Sequence, residues 1–312
     1  MSNSSSMRPH SARPSFFALH IILGMAVCFL IGFIASVAWA SGTEAGATPA
    51  LRSSLFDYFP ARPSLRSDTG SGIAPRGPAI AIVIDDLGSS EARTRRAMAL
   101  PSAVTLSFLP YPAATPALAA EAARDGHEIL VHVPMQPLSA RHNPGPMALK
   151  VGQSPEEITR RLLWALSRVP DHTGVNNHEG SRFTLDRAAL EPVMQTLAEK
   201  NLFFLDSRTI GHSKASLVAR AYDVPTAGRD VFLDDTISAS AVARELGNLE
   251  RQARKHGIAI AIGHPHDVTM AALERWTAAV AEKGFTLVPV STAIRMEEAR
   301  PTASAALLPS GS

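Results

Sequence analysis

Asp85-Asp86, His132, Asn176-Asn177-His178, Asp206-Ser207 and His264-Pro265-His266 each stand where a short apolar run of this 312-residue chain stops. Carboxylates and imidazoles hold divalent cations and move protons near neutral pH, so the set suits metal-assisted hydrolysis or proton transfer. Cys28 is the only cysteine, which leaves any metal to His, Asp and Glu. Residues this far apart share a site only if the fold gathers them. A chain alternating strands and helices does so, because groups just past its strand ends meet at one mouth.

Each cluster has two roles open to it. In Ile84-Asp85-Asp86-Leu87-Gly88, adjacent extended residues point opposite ways, so one carboxylate can take a cation while the other faces substrate from a turned position. A cation would also relieve the repulsion between two close carboxylates. The other role for this pair is capping a helix that starts near Ser89. His127 sits beside turn residue Gly126 and is expected to be structural, whereas His132 ends its strand ahead of Pro134 and is a candidate ligand. His178 is a second candidate ligand. Asn177 and Ser181 can bind substrate hydroxyls, or the asparagines can close a turn through their own backbone. Asp206 can orient an imidazole or fix the proton of a neighbouring base, or it can cap its turn and pair with Arg208. His264 is a candidate general acid, and His266 a candidate substrate contact.

Other chemistries lack their residues. There is no Gly-rich phosphate loop, no G-x-S-x-G elbow and no H-E-x-x-H helix, which sets aside nucleotide phosphoryl transfer and serine-hydrolase catalysis. With 30 Lys and Arg against 28 Asp and Glu, the net charge is +2. No basic stripe interleaves with aromatics, so no nucleic-acid partner is expected.

The elements that must position these groups are legible as short β-branched runs. Strands are expected at Ala79 to Ile84, Val104 to Leu109, Glu128 to Val133, Thr173 to Val175, Leu202 to Leu205, Ile258 to Ile262 and Thr286 to Val290, with one more around Val218 to Tyr222. Helices fall between most of them. Ser154-Pro155-Glu156-Glu157 joins an N-cap serine, a first-turn proline and a glutamate at N3. Asp186 caps another helix, and Lys255-His256-Gly257 closes a third with cations at the negative end of the dipole and a glycine stop. Seven or eight mainly parallel strands alternating with helices predict an α/β sheet, open or closed into a barrel.

The amino terminus predicts location. Arg8, His10 and Arg13 precede an apolar run from about Phe16 to Trp39, and Ala38-Trp39-Ala40 fits the small-x-small pattern of signal peptidase. The expected organisation is a cytoplasmic basic region (1–15), a signal peptide or membrane anchor (16–40), a Ser/Gly/Pro-rich linker (41–77), one domain (78–295) and a disordered tail (296–312). The domain is therefore expected to be exported, on the periplasmic or extracytoplasmic side of the cytoplasmic membrane. Leu55 to Phe59 interrupts the linker as an apolar patch that could meet an envelope protein partner.

With those residues in hand, the stretch from about Ala79 to Thr292 resembles the divergent polysaccharide deacetylase family, a branch of the NodB-like carbohydrate esterases. The resemblance rests on I-D-D-L-G at 84–88, G-H-E-I at 126–129 leading to H-V-P-M at 132–135, G-V-N-N-H-E-G-S at 174–181, F-F-L-D-S at 203–207, R-D-V-F-L-D at 229–234 and I-G-H-P-H at 262–266. It implies an irregular (β/α) barrel of the NodB-like kind. It also implies a metal-dependent hydrolase that removes acetyl groups from an envelope polysaccharide or peptidoglycan-type glycan. By resemblance Asp85 is the base, Asp86 and His132 are metal ligands and His264 is the acid. The second histidine of the family's H-x-x-x-H falls on Gln136, and an amide is a poorer ligand than imidazole. His178 is expected to complete the set of Asp86 and His132 around a divalent metal, zinc first. That departure keeps a second expectation in view, a catalytically inactive glycan-binding or scaffold protein of the envelope.

Overall fold

The computed structural model describes residues 77–299. The expected basic start, apolar segment, Leu55 to Phe59 patch and nearly all of the linker lie outside the described residues, as does most of the tail. The described chain runs β1 (Ala79–Leu87), α1 (Glu91–Met98), β2 (Thr105–Phe108), α2 (Thr115–Arg124), β3 (Ile129–Met135), α3 (Pro155–Arg168), β4 (His172–Glu179), α4 (Arg187–Glu199), β5 (Phe203–Asp206), α5 (Ala215–Ala221), β6 (Thr226–Gly228), β7 (Val231–Phe232), α6 (Ala239–His256), β8 (Ile258–Gly263), α7 (Asp267–Ala279), β9 (Thr286–Leu287) and α8 (Val290–Glu298).

Every pairing in the sheet is parallel, in the order β6-β5-β4-β3-β2-β1-β8-β7, with β9 also bonded to β1. Strands β6 and β7 are the two ends of that order, yet only Arg229 and Asp230 separate them in sequence. The ends must therefore meet, and the sheet is rolled into the expected irregular (β/α) barrel. Backbone bonds mark the seam: Arg229 N–H donates to Asp206 O at the end of β5 (3.0 Å), and Asp230 N–H to Ile260 O in β8 (2.9 Å).

Both faces of the strands are apolar, which is why the runs read as continuous rather than alternating. Ile80, Ile82, Ile84, Leu106, Phe108, Val131, Val175 and Phe204 face outward under the helices. Ala79, Ala81, Val83, Leu130, Phe203, Leu205, Ile258, Ile260 and Ile262 face inward and pack on Val290, Ala293 and Ile294 of α8. The predicted caps form as chemistry requires. Ser154 accepts from Glu157 N–H, Asp186 from Ala189 N–H, and Gly257 closes α6 at φ +77°.

Three expectations change. Val218 to Tyr222 is not a strand. Ala215, Val218 and Ala219 are its buried positions, the i, i+3, i+4 spacing of helix α5. Thr286 to Val290 is a strand only at Thr286 and Leu287, because Pro289 leads directly into α8. The Asn176 to Arg182 stretch, expected as a loop, begins as strand: β4 continues through Glu179, in register with His132, Val133 and Pro134 of β3. Strands β6 and β7, of three and two residues, are too short to show a period and raise the sheet to nine.

Candidate metal centre

The inner face of the barrel is apolar toward the strand starts and polar toward their ends. Counting in steps of two from the inward apolar residues of β1, β3, β5 and β8 leads to Asp85, His132, Ser207 and His264, and the positions alternating with the outward Leu106 and Val175 are Ser107 in β2 and Asn176 and His178 in β4. Asp86 should then face outward. It does not, because it takes a left-handed conformation at φ +59°, where the β1–β2 register slips between Ile84 and Leu87. This strained backbone, typically costing about 1–3 kcal/mol, brings both acids to the mouth. Gly88 follows at φ +100°, and a Cβ there would stand 2.2 Å from Thr115 Oγ1, so the turn of I-D-D-L-G needs its glycine.

Asp86, His132 and His178 converge. Asp86 Oδ1 lies 2.9 Å from His178 Nδ1 and 3.3 Å from His132 Nε2, and the two nitrogens are 3.2 Å apart. Ligands held about 2.0–2.2 Å from one cation stand roughly 3–3.5 Å from each other, so this triangle has the dimensions of a ligand face. A second observation agrees. Among the described residues, Asp86 Oδ1 is the one buried side-chain oxygen or nitrogen without a hydrogen-bond partner. The two ring nitrogens are its nearest polar neighbours. Burial pushes the Asp86 carboxyl up, and the two imidazoles beside it outweigh that and hold it far below the usual carboxylate range. His132 is completely buried; burial opposes its charge, yet Asp85 and Asp86 raise its pKa. The centre therefore draws in positive charge, and the residues present fit a divalent cation.

Gln136 is elsewhere. Its Oε1 accepts from Val151 N–H at 2.9 Å, while His178 occupies the third corner of the triangle.

His264 stands across the mouth. Its Nδ1 is 3.0 Å from Asp234 Oδ1, and its Nε2 is 3.9 Å from Asp86 Oδ2. Burial lowers its pKa, but the Asp234 hydrogen bond and charge, with Asp85 and Asp86 behind them, raise it to about 9. Asp234 Oδ2 also accepts from His264 N–H (2.7 Å) and Thr269 Oγ1 (2.8 Å). His266, whose ring centre is 5.9 Å from that of His264, stays beside it at the start of α7. Asp234, His264 and His266 are close enough to suggest a second cation cluster. Both Asp234 oxygens are already hydrogen-bonded, so the group has the chemistry of an oriented imidazole instead.

Three expected site residues are engaged in holding the walls. Asn177 was expected to bind substrate, but it faces outward and is buried: Oδ1 accepts from Ser207 N–H (2.9 Å) and Nδ2 donates to Glu179 O (2.8 Å). Asp206 was expected to orient an imidazole. It also faces outward, and its Oδ1 accepts from Arg208 N–H at 2.8 Å, leaving Asp234 as the orienting carboxylate. Ser181 Oγ accepts from Leu138 N–H at 2.9 Å and pins the loop after β3 rather than standing free.

Sequence reasoning gave no site role to Asn176, Asp234, Tyr111 or Phe232. Asn176 links His132 to Asp85 (Oδ1 to His132 Nδ1, 2.8 Å; Nδ2 to Asp85 Oδ1, 2.8 Å). Tyr111 follows β2, and burial and then the Asp86 charge raise its hydroxyl pKa, so it remains a hydrogen-bond donor at the mouth. The Phe232 ring meets His264 edge to face at 5.3 Å. It also borders an open cavity of about 390 Å³ lined by Arg229, Asp235, Arg244, Glu245 and Asn248 among others. Position was the signal available: Tyr111 follows a predicted strand, and Asp234 ends a motif.

The described domain is thus an irregular parallel (β/α) barrel with acids and imidazoles at its mouth. Residues 82–294 match the family model described as divergent polysaccharide deacetylase, and the chain belongs to that family. It is similar to uncharacterized protein YibQ of Escherichia coli K12, with 38% identity over 199 residues, covering 63% of this chain and 61% of YibQ. An uncharacterized Haemophilus influenzae protein is 40% identical over 196 residues, covering 62% of this chain and 69% of its own. Among solved structures, an uncharacterized protein from Agrobacterium tumefaciens C58 superposes with a TM-score of 0.69 at 34% identity, covering 71% of this chain and 91% of that one.

Proposed function

We propose that the protein is a metal-dependent hydrolase that removes acetyl groups from an acetylated envelope polysaccharide of the peptidoglycan type. The observation that carries this reading is the triangle of Asp86, His132 and His178, with its buried oxygen lacking any hydrogen bond. A divalent cation bound there, zinc being the expected one, supplies a Lewis acid that polarises an acyl carbonyl and acidifies water.

The chain's own groups supply the rest. Asp85 has an oxygen 3.6 Å from His132 Nε2, which sets it beside the metal ligands to take the proton of the attacking water. With its pKa raised to about 9, His264 is an imidazolium near neutral pH: Nδ1–H donates to Asp234, and the second proton sits on Nε2, the nitrogen turned toward Asp86. It delivers that proton to the departing amine or sugar oxygen. Asp234 keeps the ring aimed and the imidazolium stabilised. Tyr111 and His266 line the mouth where a sugar would approach, and the cavity beside Phe232 has room for a neighbouring sugar. Such a glycan lies outside the cytoplasmic membrane, which accords with the export expected from the amino-terminal segment.

The test is metal stoichiometry of the purified protein, followed by acetate release from peptidoglycan and chitooligosaccharides. The reading predicts about one zinc per chain and a fall of at least about a hundredfold in rate for Asp85→Asn. Protein that binds no divalent metal, or an Asp85→Asn variant as fast as wild type, would overturn it. Glycan binding with no acetate release would favour the inactive envelope module.

A further inference from the structure

Asn176 is fully buried and uses both ends of its amide on groups that the proposed chemistry needs. Nδ2 lies 2.8 and 3.0 Å from the two Asp85 oxygens and 3.3 Å from Ser207 Oγ. Oδ1 lies 2.7 Å from Ser107 Oγ and 2.8 Å from His132 Nδ1. An ionised carboxylate can only accept, so the amide nitrogen must face Asp85. The amide oxygen must then face His132, and an oxygen can only accept. His132 is therefore the donor, with its proton on Nδ1. In the neutral ring the lone pair is left on Nε2, the atom 3.3 Å from Asp86 Oδ1.

We infer that Asn176 is a positioning residue that sets the tautomer of His132 and the orientation of Asp85 through one amide, before metal or substrate arrives. Its functional consequence rests on the metal-hydrolase reading; the tautomer assignment does not. Sheet register explains why this position serves. Asn176 pairs with His132 across β3 and β4, so both side chains leave the same face as neighbours, and Asp85 reaches that face from β1. A carboxamide has an acceptor and a donor about 2 Å apart in one plane and adds no charge beside Asp85. Aspartate would keep the acceptor for His132 but present a second carboxylate to Asp85. Leucine has the shape and neither function.

Two substitutions separate the halves of the role. Asn176→Leu should mix the His132 tautomers and weaken zinc binding by about 10–100-fold, the usual effect of losing a ligand's orienting partner. Asn176→Asp should keep the Nδ1–H tautomer and stay within about threefold of wild type in zinc affinity, while kcat falls with little change in KM. Ser107→Ala removes a different donor from Oδ1 and should leave the tautomer unchanged.

The direct measurement needs no variant. Long-range proton–nitrogen correlation spectra of the 15N-labelled, metal-free wild-type protein, at a pH where His132 is neutral, should show its proton on Nδ1. A proton on Nε2 overturns the inference, as does Asn176→Leu binding zinc within about threefold of wild type. If wild-type protein binds no zinc, the hydrolase reading falls and the spectrum still decides the assignment of Asn176.

Discussion

Two acid–imidazole groups face each other across the mouth, and they are built in opposite ways. On the β1–β3–β4 side, Asp86 Oδ1 sits within 3.3 Å of two ring nitrogens and accepts a hydrogen bond from neither. On the β7–β8 side, Asp234 accepts from the His264 ring, the His264 backbone and Thr269. A completed set of hydrogen bonds fixes a side chain and holds a proton. A buried oxygen that ring nitrogens flank without a completed hydrogen bond suits a charge the polypeptide does not itself provide. On the proposed reading, the cation belongs to the first group and the proton to the second.

The largest expected effect tests the first assignment. Asp86→Asn should lose zinc and lower kcat/KM by at least about a thousandfold, ~4 kcal/mol of barrier. Metal analysis and acetate release measure both. Full zinc occupancy in this variant would dissolve the contrast between the groups. The second assignment predicts that Asp234→Asn keeps its zinc and loses about a hundredfold in kcat, the scale of general-acid catalysis. Loss of zinc in Asp234→Asn would mean that the β7–β8 group also takes part in holding a cation.

The same comparison explains how much of the site was legible in the sequence. His132 and His264 lie two residues past the inward Leu130 and Ile262, and His178 three past the outward Val175, so strand parity alone places them inside. Asn177 and Asp206 fall on the other parity, and both prove to be braces in the wall. Parity was available before any coordinates, but it needs the strand limits. The limit of β4 was set too early, at Val175, because asparagines look like a turn. Asp86 breaks parity through a left-handed φ, which sequence does not display for a non-glycine residue. Asp234 follows a two-residue strand, too short to carry a pattern at all. The barrel itself was readable from seven apolar runs, whereas its closure depends on two of its shortest strands meeting at Arg229 and Asp230.

A smaller effect separates wall from site. Asn177→Ala leaves the Ser207 N–H buried without its acceptor, a loss of about 1–3 kcal/mol. In a domain of this size each kcal/mol lowers Tm by roughly 2–4 °C. Thermal melting should show that shift while KM for a glycan substrate stays at the wild-type value. A raised KM with unchanged Tm would return Asn177 to the substrate side.

The smallest effect comes from a further acid on the inner face, at the end of the barrel away from the mouth. Glu128 accepts from Thr105 Oγ1 (3.1 Å) and from the Ser291 backbone N–H at the start of α8 (3.0 Å). Unlike Asp86 it has no imidazole beside it, and burial outweighs these bonds and the Arg295 charge to raise its pKa. A carboxyl whose folded pKa is raised holds more protons folded than unfolded, so stability falls as pH climbs above the unfolded value of about 4.3. Glutamine keeps the accepting oxygen and has nothing to titrate. Glu128→Gln should therefore match wild type below that pH and become the more stable of the two as pH rises toward neutrality, with zinc content and acetate release unchanged. Denaturant melts across this range measure the slope. An identical slope in the variant would show that the pH dependence originates with the acids at the mouth, where burial is answered by imidazoles, and not with the acid that faces a helix start alone.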